Sequence, residues 1–107
     1  MAKRETAPLT GAVIDHRVEV TLEEVSTFCA AGQETITALV VEGVIAPRTG
    51  GGRGEWRFDG VAMHRAAKAV RLQRDLEVNP QAVALILDLL DEVEALRARL
   101  ARASQET

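Results

Sequence analysis

The residues that could carry chemistry are few and scattered. Cys29 is the sole cysteine, which leaves no intrachain disulfide and no cysteine-based metal cluster to build. His16 and His64 stand far apart and offer no ligand spacing. Gly50-Gly51-Gly52-Arg53-Gly54 has the glycines of a phosphate-cradling loop. It lacks the Lys-Ser/Thr ending, however, and does not open onto a helix. No carboxylate pair stands in an apolar setting, and no Ser/His/Asp spacing is present. The expectation is therefore a non-enzymatic binding module with no cofactor and no metal. Cys29 is expected to pack as a small apolar residue, and His64 to be a surface or satisfied histidine.

What remains is charge, and it is banded. Residues 18–47 carry Glu19, Glu23, Glu24, Glu34 and Glu42 and no Lys or Arg. Residues 48–74 carry seven cations, Arg48, Arg53, Arg57, Arg65, Lys68, Arg71 and Arg74, against Glu55 and Asp59. Residues 75–107 return to seven acids against three arginines. The net charge of −3 conceals this alternation. The acidic band suits a basic protein partner, since complementary charge speeds encounter and sets register. The basic band reads as a solvated helix face, with contact to a nucleic-acid backbone as the rival.

The elements that position these bands follow from local signals. Val18-Glu19-Val20 alternates, as a short strand does. Thr21 and Glu24 form a capping box, so a helix should start at Leu22, with Leu22, Val25, Phe28 and Cys29 on one face. Gly32 can cap a second helix, from about Gln33 to Glu42, that buries Ile36, Leu39 and Val40. Glu34 and Glu42 should then be exposed. Gly43 ends that helix. Residues 44–47 and 55–58 read as two arms of a small hairpin around a flexible tip, with Trp56 and Phe58 on one face and at least one of them buried. Asp59 caps a third helix, with Val61, Ala62, Ala66, Ala69, Val70 and Leu72 inward, ending near Leu76. Asn79-Pro80 opens a fourth helix with no breaker before Ser104. Its stripe is Leu85, Ile86, Leu89, Leu90, Val93, Leu96 and Leu100. Leu85, Ile86 and Leu90 are expected on the head. Leu89, Val93, Leu96 and Leu100, spaced 4, 3, 4, suit a coiled-coil seam. No apolar run approaches a membrane span, and the start Met1-Ala2-Lys3-Arg4-Glu5 is not read as a signal peptide, so a cytoplasmic location is expected.

Thr21-Leu22, Ile36 and Gly43-Val44-Ile45-Ala46-Pro47 stand at the spacing of the threonine, isoleucine and glycine-to-proline marks of MerR-type regulators. Trp56-x-Phe58-Asp59, Ala69-Val70-Arg71-Leu72, Asp75-Leu76-x-Val78-Asn79 and Leu89-Leu90-Asp91-Glu92-Val93 are narrower. Together they resemble the chaperone-modulator (CbpM) family, MerR-like proteins that bind and inhibit a DnaJ-type co-chaperone. The likeness covers about residues 18–100. It implies a mainly α fold with a small β hairpin wing, a MerR-like winged helix-turn-helix head over 16–79, and a long dimerising helix over 80–107. Residues 1–15 read as a flexible tail.

The resemblance also implies a partner, the J-domain of a DnaJ-type (CbpA-like) co-chaperone, whose basic surface engages a DnaK-type chaperone. The candidate partner-binding residues are Glu23, Glu24, Glu34, Glu42, Asp88, Asp91 and Glu92. The candidate dimer seam is Leu89, Val93, Leu96 and Leu100. The alternative is a MerR-like DNA-binding transcriptional regulator. Against it, Thr35–Glu42 carries neither the Arg nor the paired Tyr of MerR recognition helices. Ala30 also stands where the MerR turn usually has Gly, and Gly32 where it has Ser or Thr.

Overall fold

A computed structural model describes residues 17–105. The tail read over 1–15, and His16, lie outside the described residues. The elements run β1 (Val20–Thr21), α1 (Leu22–Cys29), α2 (Gln33–Val41), a short 3-10 turn (Arg53–Glu55), β2 (Arg57–Phe58), α3 (Gly60–Leu76) and α4 (Pro80–Gln105). The fold is mainly α with a two-stranded antiparallel β element and a long C-terminal helix, as the sequence implies.

α1, α3 and α4 each begin where a side chain satisfies a first free N–H group, while α2 begins at Gly32 with no side-chain cap. The Thr21 hydroxyl accepts from the Glu24 N–H at 3.1 Å, and the Thr21 N–H donates back to Glu24 Oε1 at 2.8 Å. Asp59 Oδ1 accepts from the Ala62 N–H, and Asn79 Oδ1 from the Ala82 N–H, both at 2.8 Å. α2 ends in a Schellman turn. Gly43, at φ +78°, donates to Val40 O, and Val44 donates to Leu39 O at 2.9 Å. That turn brings Val44 and Ile45 into the core.

One core joins the three head helices, β2 and the start of α4. Phe58, Ile36, Leu39, Leu87, Val25 and Val83 are its largest fully buried side chains. Phe58 takes the buried place on its strand. Trp56 is half-buried with its ring edge against Phe58, centroids 6.1 Å apart. Cys29 is buried against α3 as an apolar residue would be.

Three expectations about packing are corrected. First, β2 pairs with β1, Val20 opposite Phe58 and Thr21 opposite Arg57, and not with residues 44–47. The 44–49 segment is joined to the 55–57 segment by Arg48 N–H to Arg57 O, at 2.7 Å, and by the Thr49 hydroxyl to Glu55 O, at 3.0 Å. The tip between them is a defined turn with Gly51 at φ +96°. A Cβ there would meet the Glu55 carboxylate. Second, Val61 is exposed and Met63 takes its place in the core. Third, α4 docks through Val83 and Leu87, while Leu85 and Leu90 are exposed and Ile86 is half-buried.

The molecule measures 50 × 33 × 26 Å. A helix of α4's 26 residues is about 39 Å long. Every residue of α4 from Asp88 to Gln105 is exposed, so its C-terminal half projects past the core.

Candidate partner-binding surface

α2 presents the least conventional face. Burial of Ile36 and Leu39 turns Glu34, Thr37, Ala38 and Val41 outward, within an arc of about 100°. Glu34 and Val41 are exposed, while Thr37 and Ala38 are half-buried. The Thr37 hydroxyl donates to Gln33 O at 2.8 Å and so faces its own helix. The outer face therefore has no cation and no side-chain donor directed outward. Glu42 departs from the expected exposure: it is half-buried, because it is the C-cap residue of α2. A carboxylate there faces the negative end of the helix dipole, a placement that costs rather than stabilises.

The candidate acids fall into two groups at the two ends of α2. Glu23, in the first turn of α1, lines a surface groove of about 530 Å³ with Thr21, Leu22, Gln33, Arg53, Gly54 and Arg57. Glu34 follows Gln33 directly, so the N-terminal turns of α1 and α2 open on one side. Glu24 belongs to this group by position, but its carboxylate also closes the capping box.

At the other end, Arg65 of α3 organises the acids. Its Nε donates to Val44 O at 2.8 Å, its Nη1 lies 3.2 Å from Asp91 Oδ2, and its Nη2 lies 3.9 Å from Asp88 Oδ1. One guanidinium thus joins the loop leaving α2 to the first half of α4. Asp91 and, more distantly, Asp88 share this cation while staying half or more exposed, and Glu92 is exposed. Sequence reasoning placed Arg65 in a solvated band and missed this role. The available signal was the i, i+3 spacing of Asp88 and Asp91, which puts both on one helix face.

Other cations of the basic band are also bound into the fold. The Arg57 guanidinium donates to Trp56 O at 2.8 Å and to Gly54 O at 3.4 Å. Arg74 donates to Ala30 O at the C-terminal end of α1. Ala30 is left-handed at φ 54°, which is why MerR turns favour glycine there. Burial pushes the Cys29 thiol up to about 11, against the pull of Arg74 and Arg71. The thiol therefore stays protonated at neutral pH and is a poor nucleophile. His64 packs edge-on against Phe28 at 5.2 Å. Among the described residues no three His, Cys, Asp or Glu side chains form a metal-sized cluster. No helix there is long and apolar enough to cross a membrane.

α4 carries a second apolar face. At about 100° per residue, Leu85, Leu89, Leu96 and Leu100 stand roughly opposite Val83 and Leu87. These four leucines are 54–68% exposed, and Val93 borders them at 41%.

Residues 20–105 match the family described as MerR HTH family regulatory protein. A chaperone modulatory protein CbpM of Coxiella burnetii is 35% identical over 92 residues, which is 86% of this chain and 86% of that protein. The CbpM of Pseudomonas putida is 35% identical over 78 residues, 70% of this chain and 76% of its own length. The CbpM of Pseudomonas entomophila is 38% identical over 63 residues, 59% and 61% of the two chains.

Proposed function

The chain belongs to the MerR HTH regulatory family and within it to the CbpM chaperone modulators, and from that premise we propose that it binds the J-domain of a DnaJ-type co-chaperone and blocks its stimulation of a DnaK-type chaperone. The observation that carries the reading is the outer face of α2. In a DNA-binding member of such a fold this helix would present donors to base edges and cations to phosphates. Here it presents Glu34, Thr37, Ala38 and Val41, with Glu42 at its end. Such a face repels a phosphate backbone and attracts a basic protein surface. Glu23, Glu24, Asp88, Asp91 and Glu92 extend the same sign around it. The action is by occupancy, in the cytoplasm, and needs no catalytic group.

Association of two copies through α4 completes the proposal. Leu89, Val93, Leu96 and Leu100 form a seam, and Ile86 continues it in the same heptad register. What supports it is the exposure of Leu89, Leu96 and Leu100 at 54–68% and of Val93 at 41%, on a helix face that the head does not cover. Ile86 and Val93 then share one heptad position and Leu89 and Leu96 the other, a pattern that favours two strands. Leu96→Lys places a charge in that seam and is expected to give a folded monomer by light scattering. A persistent dimer would put the seam elsewhere.

The functional test is titration calorimetry against the purified J-domain, alongside the ATPase of the DnaK-type chaperone stimulated by the co-chaperone. Added wild-type protein should suppress the stimulation, and Glu34→Lys with Glu42→Lys should relieve that suppression most at low salt. A sequence-selective gel shift at nanomolar protein, with no J-domain heat, would instead support a DNA-binding regulator.

A further inference from the structure

We propose that Val41, supported by Ala38, is the apolar anchor of the partner interface, and that it receives a nonpolar side chain flanked by two cations on one partner helix. This rests on the J-domain reading above and specifies how that surface selects its partner.

Val41 is 74% exposed, more than any other large hydrophobic residue in the described chain. Its neighbours on α2 are not so placed. Ile36 and Leu39 are buried and Val40 is half-buried. Ala38 lies one turn before Val41 on the same face and adds no bulk, so a partner side chain can approach the helix closely. Glu34 and Glu42 stand at the two ends of this apolar step, and residues 18–47 contain no Lys or Arg. An apolar centre inside a charged rim is the usual anatomy of an interface core.

The charge pattern states the occupant. Glu34 and Glu42 are eight residues apart on α2, a rise of about 12 Å. Two cations seven or eight positions apart on a partner helix span the same length, with a nonpolar residue on the same face, within a turn of the cation that meets Glu42, at the level of Val41. Arg65 provides a local precedent, since its guanidinium already sits among Asp88, Asp91 and Val44 O beside the C-terminal end of α2. The exposed stripe of α4 is separate from this surface, because it lies on the side of α4 away from the head.

The test compares Val41→Ser, Val41→Leu and the pair Glu34→Gln with Glu42→Gln. Each full-length protein is titrated with the purified J-domain at low and at high salt. Val41→Ser should weaken binding about tenfold at both salt concentrations, since burial of a valine is not screened. Its binding heat capacity should be less negative than that of the wild type. Val41→Leu should retain affinity. The glutamine pair should weaken binding at low salt and converge on the wild type at high salt. Unchanged affinity of Val41→Ser, with the glutamine pair weakened, overturns the anchor and leaves the J-domain reading standing. A shift of Val41→Ser to monomer by light scattering assigns Val41 to the contact between copies and also overturns it. Failure of the wild-type protein to bind the J-domain at all overturns the reading, and the anchor falls with it.

Discussion

α2 and α3 lie on either side of the same core, and they use charge in opposite ways. α3 turns two of its four cations, Arg65 and Arg74, toward the rest of the protein. Arg65 holds Val44 O, Asp91 and Asp88, and Arg74 caps the end of α1 through Ala30 O. α2 turns Glu34 away from the rest of the protein and ends on the half-buried Glu42, and among the described residues neither acid has an ion-pair partner. The lesson is that two bands of similar charge density serve different ends. One fastens elements together; the other is left for a partner.

This contrast can be broken at several points, and the largest effect is expected at high pH. Arg71 and Arg74 lie near enough to the buried Cys29 thiol to lower its pKa, but burial dominates and leaves it at about 11. The unfolded thiol titrates near its ordinary 9.0. Between these values the unfolded state has lost its proton while the folded state keeps it. Stability therefore falls as pH rises from about 9 to 11, by roughly 2–3 kcal/mol in total, and is unaffected by this group below pH 9. The chain has no tyrosine to confuse the profile. Denaturant midpoints from pH 7 to 11 should show the loss in the wild type and not in Cys29→Ala. A parallel decline in both would place the titration elsewhere.

Arg65→Met should come next, at about 2 kcal/mol lost. Most of this is the charge-assisted bond to Val44 O. The Asp91 and Asp88 contacts add little, since those carboxylates are half or more exposed. A double-mutant cycle with Asp91→Asn should therefore yield a coupling below about 1 kcal/mol. A coupling well above that would mean that the acid, and not the carbonyl, is what Arg65 is there to hold.

Ala30→Gly should stabilise the head by about 1 kcal/mol, because the left-handed backbone at φ 54° is strained for alanine and free for glycine. Thermal melting measures it. A loss of stability would show that the Ala30 methyl packs usefully against the turn. The smallest stability effect belongs to α2. Glu34→Lys with Glu42→Lys should move the folding free energy by less than about 0.5 kcal/mol in total, with Glu42→Lys favoured by the helix dipole. The same pair should reduce J-domain affinity. If the pair destabilises the fold by a kilocalorie or more, the outward assignment of these acids is wrong.

Most of the helix boundaries were legible residue by residue. Thr21 with Glu24, Gly32, Gly43, Asp59 and Asn79-Pro80 each mark an end within a residue or so of the observed one. These are contacts between groups a few positions apart, so the chain needs nothing distant to make them. The candidate site was legible only as a sign of charge. That Glu24 also closes a cap was legible from its spacing to Thr21, whereas the half-burial of Glu42 and the cation shared by Asp88 and Asp91 were hidden, because each depends on what packs nearby.

The sequence by itself determined where helices start and stop, that the head has one aliphatic core with at least one of Trp56 and Phe58 in it, and that acids and cations are segregated along the chain. The tertiary structure decided which segments meet. Phe58 pairs with Val20 and not with the nearer 44–47 segment, since strand pairing is chosen by the whole core and not by loop length. On α4 apolar residues occur on nearly every side, so periodicity alone could not say which face would dock. Burial of Val83 and Leu87 in the head core makes that choice, and the Arg65–Asp91 contact joins α4 to α3 beside it. Leu89, Leu96 and Leu100 are left outward for the same reason: a small head covers only one side of a helix that long.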